Sequence, residues 1–418
     1  MIDNLMYKII FPVFVFILGL PHFSKGQNTV SPYSVFGPGE IQSRGFSVNT
    51  GMGDAGIALK SGNYINNLNP ASYTGMDSLR ILSEFGIAGK AYSLGTSDET
   101  QNGFTGNLNH IGLGFRYTNW LAGSFGVVPF STINYNILKK NYVQGTTSEY
   151  YSNYAGSGGI SQFYFGNAVR VGKYLSLGMN MSFMFGTLMQ EENVIGTSLV
   201  PTLLINRNDY LRSLYFDFGL QYSFKTDQNE FSIGLTFAPS QDLKSKHYLT
   251  VYDNSNSIIE EQESKGYYLT VPNIAGIGVA MEKPEKYKIA LDYNFQDWSE
   301  VEYPTQNGDF VDLHRVALGA EFMPWKFSVM NPTYKNWTYR FGVNYTRSYL
   351  KLGGASIDKK SMTLGVGIPL PGHISNINFS LTGGWSGTKA NNLVEEKFIL
   401  MNVGFSLNEL AFIRRKFD

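Results

Sequence analysis

Residues 175–186 read LSLGMNMSFMFG. Leu175, Leu177, Met179, Met181, Phe183 and Phe185 share one parity, and Ser176, Gly178, Asn180, Ser182, Met184 and Gly186 share the other. Successive side chains of a strand point to opposite faces, so this segment presents one apolar face and one small or polar face. The pattern recurs. Phe231, Ile233, Leu235 and Phe237 oppose Ser232, Gly234, Thr236 and Ala238. Trp337, Tyr339, Phe341, Val343 and Tyr345 oppose Thr338, Arg340, Gly342, Asn344 and Thr346. Ile399, Met401, Val403, Phe405 and Leu407 oppose Leu400, Asn402, Gly404 and Ser406. No comparable stripe of helical period competes with this alternation.

Extended outward, the pattern predicts strands near 79–91, 107–117, 121–138, 160–170, 174–190, 210–225, 230–252, 265–281, 287–298, 313–323, 337–348, 358–369, 376–386 and 396–407. That is fourteen strands. The connections alternate in length. Asn119-Trp120, Gly172-Lys173, 226–229 and 283–286 are tight, whereas 92–106, 139–159, 191–209, 299–312 and 387–395 are long and polar. Short turns at one end and long loops at the other belong to an all-β, antiparallel transmembrane barrel, and an even count returns both ends to the short-turn side. A soluble sandwich gives similar strands without that asymmetry.

Composition agrees. The 418 residues include 45 Gly, 27 Tyr and 30 Phe; charged residues are 16% and mean hydropathy is -0.15. These values are too polar for a helical membrane protein and too uncharged for an ordinary soluble one. Lys+Arg and Asp+Glu both number 33, so bulk charge argues against nucleic acid as a partner. Cysteine is absent, which removes disulfides, thiolate metal sites, cysteine nucleophiles and a lipid-anchoring cysteine. The five histidines, His22, His110, His247, His314 and His373, are too scattered for a metal cluster. No Ser/His/Asp grouping stands out, and His110 and His314 read as structural residues on an inward parity. Neither an enzyme, a metal nor a cofactor is expected.

Residues 1–26 read as a secretory signal. Lys8 precedes the run IIFPVFVFILGL at 9–20, and Ser24-Lys25-Gly26-Gln27 follows. Twelve apolar residues are fewer than the roughly 20 a spanning helix needs. Cleavage near Gly26 leaves 31 basic against 32 acidic residues. The expected organisation is a signal at 1–26, an N-terminal plug at 27–77, a barrel at 78–407 and a periplasmic tail at 408–418. The plug expectation rests on a segment that does not alternate, is rich in Gly, Asn and Ser, and still carries Phe36, Phe46, Met52, Ile57, Leu59, Ile65 and Leu68. A fourteen-strand wall encloses more space than its own side chains fill. A periplasmic docking segment is the alternative. Trp120, Trp325 and Trp337, near strand ends, are expected in the interfacial girdle.

Charges test which parity faces lipid. Arg80, Glu84, Lys90, Arg116, Arg170, Asp217, Lys288, Asp292, Arg315, Glu321 and Arg340 all fall on the inward side, and the outward parity in those strands is almost free of charge. A cation on the lipid face at mid-bilayer would cost about 2–4 kcal/mol. These lumenal charges either bridge one another and hold the lumen packed, or one or two arginines attract a substrate carboxylate. Pro129, within the third strand, removes a ladder donor where a closed wall has no edge to hide it. It marks a break, an inward kink or a bulge.

Several phrases resemble the FadL family of outer-membrane transporters for long-chain fatty acids and other hydrophobic compounds. GMGDAGIAL is followed by Asn-Leu-Asn-Pro-Ala-Ser-Tyr at 67–73, and Asn69, Pro70 and Ala71 match the family's hatch motif. Within 271–303, Pro272, Gly278, Asp292 and Trp298 match a second pattern. RVALGAEF at 315–322, YRFGVNYTRS at 339–348 and SMTLGVGI at 361–368 supply a third. The resemblance implies passive uptake of a hydrophobic small molecule or fatty acid in the bacterial outer membrane. It implies a hatch at Asn69, Pro70 and Ala71, and a kinked third strand with a lateral opening bordered by Pro129, Phe130 and Ser131, through which the ligand slips into outer-membrane lipid. Ser31-Pro32-Tyr33-Ser34 and Arg414-Arg415-Lys416-Phe417-Asp418 look like proteins of the Bacteroidetes group. FadL-like barrels there include PorV, which serves a secretion system, so other envelope proteins are the alternative partners.

Overall fold

The computed structural model describes residues 30–411 except 198–199, 302–308, 326–327, 329–330 and 371–374. The expected signal at 1–26 and most of the expected tail at 408–418 lie outside the described residues. Fourteen strands form the wall. They are β1 (Arg80–Gly95), β2 (Thr100–Arg116), β3 (Leu121–Tyr142), β4 (Glu149–Val171), β5 (Leu175–Ile195) and β6 (Leu203–Lys225). β7 is Glu230–Ala238 continued by Gln241–Tyr252, and β8 is Ile258–Val271 continued by Ile274–Lys283. β9 (Tyr287–Gln296), β10 (Leu313–Phe322), β11 (Thr338–Arg347), β12 (Lys359–Pro369), β13 (Asn376–Gly387) and β14 (Glu395–Leu410) complete it.

Each strand pairs antiparallel with the next. β14 returns to β1 from Arg80↔Leu410 to Gly95↔Glu395, which closes the ring. The last strand therefore runs three residues into the stretch assigned to the tail. The apolar parity faces out: Met179, Met181, Phe183 and Phe185 on β5 are exposed, as are Ile233, Leu235 and Phe237 on β7. Opposite them, Ser176, Asn180, Ser182 and Ser232 are buried. A closed sheet with apolar residues outside and polar residues inside is the arrangement a bilayer selects, because no strand edge is left unpaired in hydrocarbon. Trp120 and Trp325 are exposed at the short-turn end, as a girdle requires.

Three of the segments expected to be long loops are mostly strand. The strands break only at 96–99, at 143–148 and between Ile195 and Leu203, and β1 to β6 otherwise run on through the described residues of 92–106, 139–159 and 191–209. These extensions carry polar residues on both parities, so the period that reveals a strand in lipid is not printed there. The segment expected at 265–281 likewise begins earlier, at Ile258.

β7 and β8 are each interrupted near a proline, at Pro239 and Pro272. At the first interruption the ladder between β6 and β7 is replaced by a side chain. Gln241 Nε2 donates to Phe216 O at 3.0 Å, and Phe216 N donates to Gln241 Oε1 at 2.8 Å. His314 is a second correction. It faces outward, with its Nδ1 2.8 Å from Tyr293 OH and its ring against Phe295. Its neighbour Arg315 takes the inward side, and adjacent strand residues cannot share a face.

Candidate functional site: the inner wall and the break beside Pro129

Residues 30–77 form one two-residue strand, Glu40–Ile41, and three short helical turns, Pro32–Val35, Ser47–Gly51 and Pro70–Gly75. Asn69 caps the last of these. Its Oδ1 accepts from Ala71 N at 3.0 Å, with Pro70 in the first helical position, where the lost N–H costs nothing. The same side chain ties the turn to the wall. Asn69 Nδ2 donates to Ile57 O at 2.8 Å and to Leu220 O at 3.1 Å. Three wall glycines make room. A methyl built on Gly178 would lie 2.4 Å from Ala71 N, on Gly219 2.0 Å from Asn69 Oδ1, and on Gly234 2.2 Å from Ile57 O. Their clue in the sequence was a glycine on the inward parity of three neighbouring strands; its partner was not readable.

Nine of the eleven inward charges contact residues 30–77. Asp217 Oδ2 is 2.6 Å from Arg44 Nη1. Asp292 Oδ2 accepts from Gly56 N at 2.6 Å and Ile57 N at 2.9 Å. Glu84 accepts from Ser47 Oγ at 3.3 Å and Ile65 N at 3.4 Å, and from Ser406 Oγ at 3.0 Å. Lys90 Nζ is 3.8 Å from Glu40 and 2.5 Å from Glu396. Arg315 lies 3.6 Å from Asp54, Arg80 lies 4.0 Å from Asp77, and Lys288 sits 5.4 Å from the Tyr64 ring centroid. Arg116 donates to Met76 O at 3.3 Å, and Arg170 donates to Thr74 O. The remaining two, Glu321 and Arg340, pair with each other at 2.7 Å, and Lys288 joins Glu321 at 3.4 Å. Every charge in the set is engaged. His110 is also inside, stacked on Phe46 at 4.2 Å between ring centroids and 3.2 Å from Ser47 Oγ.

Glu40 collects two cations. Lys359 Nζ is 2.9 Å away and Lys90 Nζ 3.8 Å. Burial raises the Glu40 pKa, but Lys359 and then Lys90 outweigh it and hold the carboxyl at about 2.

β2 and β3 pair only from Ile111↔Val127 to Arg116↔Ala122. Above Val127 the two strands part. β3 keeps β4, with a register shift between Pro129↔Ser161 and Ser131↔Ile160 that leaves Phe130 as the extra residue, its side chain buried. A proline and a bulge together end the ladder on the β2 side. The edge of β3 so freed is met by the N-terminal segment instead. Glu40 pairs with Thr132 and Ile41 with Ser131. Gln42 N donates to Phe130 O at 2.9 Å and Ser31 N to Asn134 O at 3.0 Å. Gly39 permits the approach: its φ is +92° and a methyl there would lie 2.4 Å from Thr132 O.

A cavity of about 680 Å³ lies at the parting, lined by Val30, Pro32, Tyr92, Leu94, Gln101, residues 133–137 and the β4 residues 155–158. Phe130, Ile133 and Tyr135 continue inward into an apolar cluster with Ile160, Met184, Leu188, Leu211, Tyr215, Leu243, Leu269 and Val271. Two other cavities reach the inner wall, of about 250 Å³ and 100 Å³, with many hydroxyl, amide and charged side chains in their linings. Among the described residues no cluster of metal-ligating side chains occurs.

These features define a class: a closed fourteen-strand transmembrane barrel with the FadL architecture. Solved structures share the fold. The monoaromatic hydrocarbon channel CymD is 16% identical, with TM-score 0.59 over 89% of this chain and 100% of that one. A Pseudomonas aeruginosa FadL homologue is 12% identical, with TM-score 0.62 over 89% and 99%. The Ralstonia pickettii toluene transporter TbuX is 15% identical, with TM-score 0.55 over 88% and 99%. No curated protein matches the chain. The chain belongs to the BamG family, whose profile matches residues 6–418.

Proposed function

We propose that this is a bacterial outer-membrane barrel that passes a hydrophobic compound, such as a long-chain fatty acid, from its lumen sideways into the bilayer. In this reading residues 27–77 are the plug, Asn69-Pro70-Ala71 its hatch turn, and Pro129-Phe130-Ser131 the border of the lateral opening. The observation that carries it is the parting of β2 from β3 above Val127, with a cavity of about 680 Å³ at the gap. That volume suits a small hydrophobic ligand. An acyl chain gains roughly 0.8 kcal/mol per buried CH2, a gain that a polar exit through the short-turn end would forfeit. The apolar cluster running in from Phe130 offers a route that keeps it. The likeness to a toluene transporter and a monoaromatic hydrocarbon channel supports the same substrate class. Lumenal arginines are not needed as carboxylate receptors, because each is already engaged.

The test uses the absence of native cysteine. Cysteines introduced at Gln101 and Asn136, both lining the gap cavity, are bridged by a short bis-maleimide in liposome-reconstituted protein. Uptake of a fluorescent fatty acid should stop on bridging and resume with a cleavable linker. Unchanged uptake discards the lateral route.

A second reading is favoured by one observation. The cavities on the inner wall are small, and nine of eleven inward charges are committed to residues 30–77. A filled lumen suits an accessory barrel of an envelope machine, of the PorV-like type IX secretion kind or in outer-membrane protein assembly. Purification in mild detergent followed by mass spectrometry separates the two. Stoichiometric envelope proteins favour the accessory role; co-purified lipid alone favours transport.

A further inference from the structure

The outward face of the barrel is apolar until it nears the long-loop end of β5, β6 and β7. Phe183 and Phe185 on β5 and Leu214 and Phe218 on β6 are exposed. One step above Leu214 the outward residue of β6 is Arg212, directly across the ladder from Phe185. On β7 the outward residues at this level are Lys244 and Lys246, on either side of the inward Ser245 that pairs with Leu211. The outward parity therefore carries three neighbouring cations here. Among the described residues no side chain of the three takes part in an ion pair or hydrogen bond.

They line a cleft of about 960 Å³ together with Phe185, Tyr210 and Tyr248. The two tyrosine rings meet edge to face, with centroids 5.6 Å apart. Glu263 lies across the ladder from Tyr248 and is an acidic neighbour of the cluster. Three like charges on one patch repel, and their heads sit where hydrocarbon gives way to headgroups. Aromatic rings with polar tips favour that same depth. Such a patch is stabilised by a multiply charged anion with apolar tails: a guanidinium grips phosphate through paired N–H donors, and ammonium groups add point charge.

We propose that this cleft binds the phosphorylated headgroup of an outer-leaflet glycolipid, whose acyl chains lie along Phe183, Phe185 and Leu214. The proposal rests on the outer-membrane placement above and on the long-loop end facing the cell exterior. Each cation near an anionic membrane surface contributes about a fivefold gain in affinity, so three contribute about a hundredfold.

The experiment places the full chain in nanodiscs and measures binding of bisphosphorylated lipid A, dephosphorylated lipid A, phosphatidylglycerol and inorganic phosphate. It compares the native protein with R212Q/K244Q/K246Q and with K246Q alone. Unchanged heat-modifiable migration confirms that the variants remain folded. Tight binding of the phosphorylated lipid, weakened about a hundredfold in the triple variant, about fivefold in K246Q and strongly for the dephosphorylated lipid, supports the site. Equal binding by native and triple variant overturns it. So does equal binding with and without the phosphates, or equal competition by phosphatidylglycerol or inorganic phosphate. Cell fractionation keeps the two readings apart. A barrel in the outer membrane that fails to bind loses only the lipid site, whereas a barrel found elsewhere loses the placement and the site together.

Discussion

Arg44 Nη1 lies 2.6 Å from Asp217 Oδ2, joining the N-terminal segment to the inner wall of β6 across a sequence separation of 173 residues. Asp217 is almost fully buried, and its other oxygen accepts from Asn180 Nδ2 at 3.0 Å. Truncating Arg44 leaves that carboxylate without its cation. Removing one partner of a buried pair costs about 3–5 kcal/mol, and the partial exposure of Arg44 places this case at about 2–3 kcal/mol. Arg44→Met should speed proteolysis of residues 30–77, while R44M/D217L should restore protection to within about 1 kcal/mol. If the single variant is as protected as the native protein, the pair does not hold the segment.

The glycines under the Asn69 turn give a steric prediction. Gly178→Ala and Gly219→Ala put a methyl 2.4 Å from Ala71 N and 2.0 Å from Asn69 Oδ1, so backbone or side chain must move. Overpacking of this kind costs about 1–3 kcal/mol. Amide exchange at 69–75 should accelerate in both variants. Gly383→Ala is the control, since nothing lies within 4 Å of the added methyl; similar exchange in all three would remove the steric argument.

The Glu40 latch titrates in a defined window. Its carboxyl is held at about 2, below the ordinary 4.5, by Lys359 and Lys90 against the opposing effect of burial. A depressed acid contributes its stabilisation fully above the unfolded value, and loses it as pH falls through the folded value. Protection of Ser31 and Gln42 on the β3 edge should be flat from pH 7 to 5 and decline between about 4.5 and 2. Glu40→Gln should be weakly protected throughout and show little decline. A native profile that falls between pH 7 and 5 would contradict the assignment.

Gln241 offers a test within the wall. Its amide replaces two ladder bonds to Phe216 where β7 is interrupted. Gln241→Ala leaves an N–H and a C=O unpaired, at about 1–3 kcal/mol for each. The barrel should unfold at lower temperature in detergent, and Gln241→Glu, which keeps an acceptor for Phe216 N but turns a carboxylate oxygen on Phe216 O and Pro239 O, should not restore it. Equal melting of native and alanine variant would assign the wall's stability elsewhere.

How much of this was legible in the sequence varied with the solvent each residue meets. The strands in lipid were placed within a few residues, because hydrocarbon punishes every outward polar side chain and so prints a period of two on the chain. The extensions at 149–159, 191–195 and 203–209 were missed as strands because polar residues on both parities print no period of two. The inward charges Glu84, Asp217 and Asp292 were legible as inward by parity, and Pro129 was legible as a break. Their partners Ser47, Arg44 and Gly56 were not, because they come from a segment without periodicity.

The sequence alone determined that the sheet rolls into a fourteen-strand ring with its apolar face outward, since parity is a local property of the chain and the bilayer acts on each strand separately. Only the tertiary structure decided that residues 30–77 occupy the inward charges, that Ile41 takes the β3 edge that β2 leaves, and that Arg212 and Lys244 line one cleft on the outer wall. Those are pairings between distant stretches, fixed by which groups a closed ring brings within a few ångströms of one another.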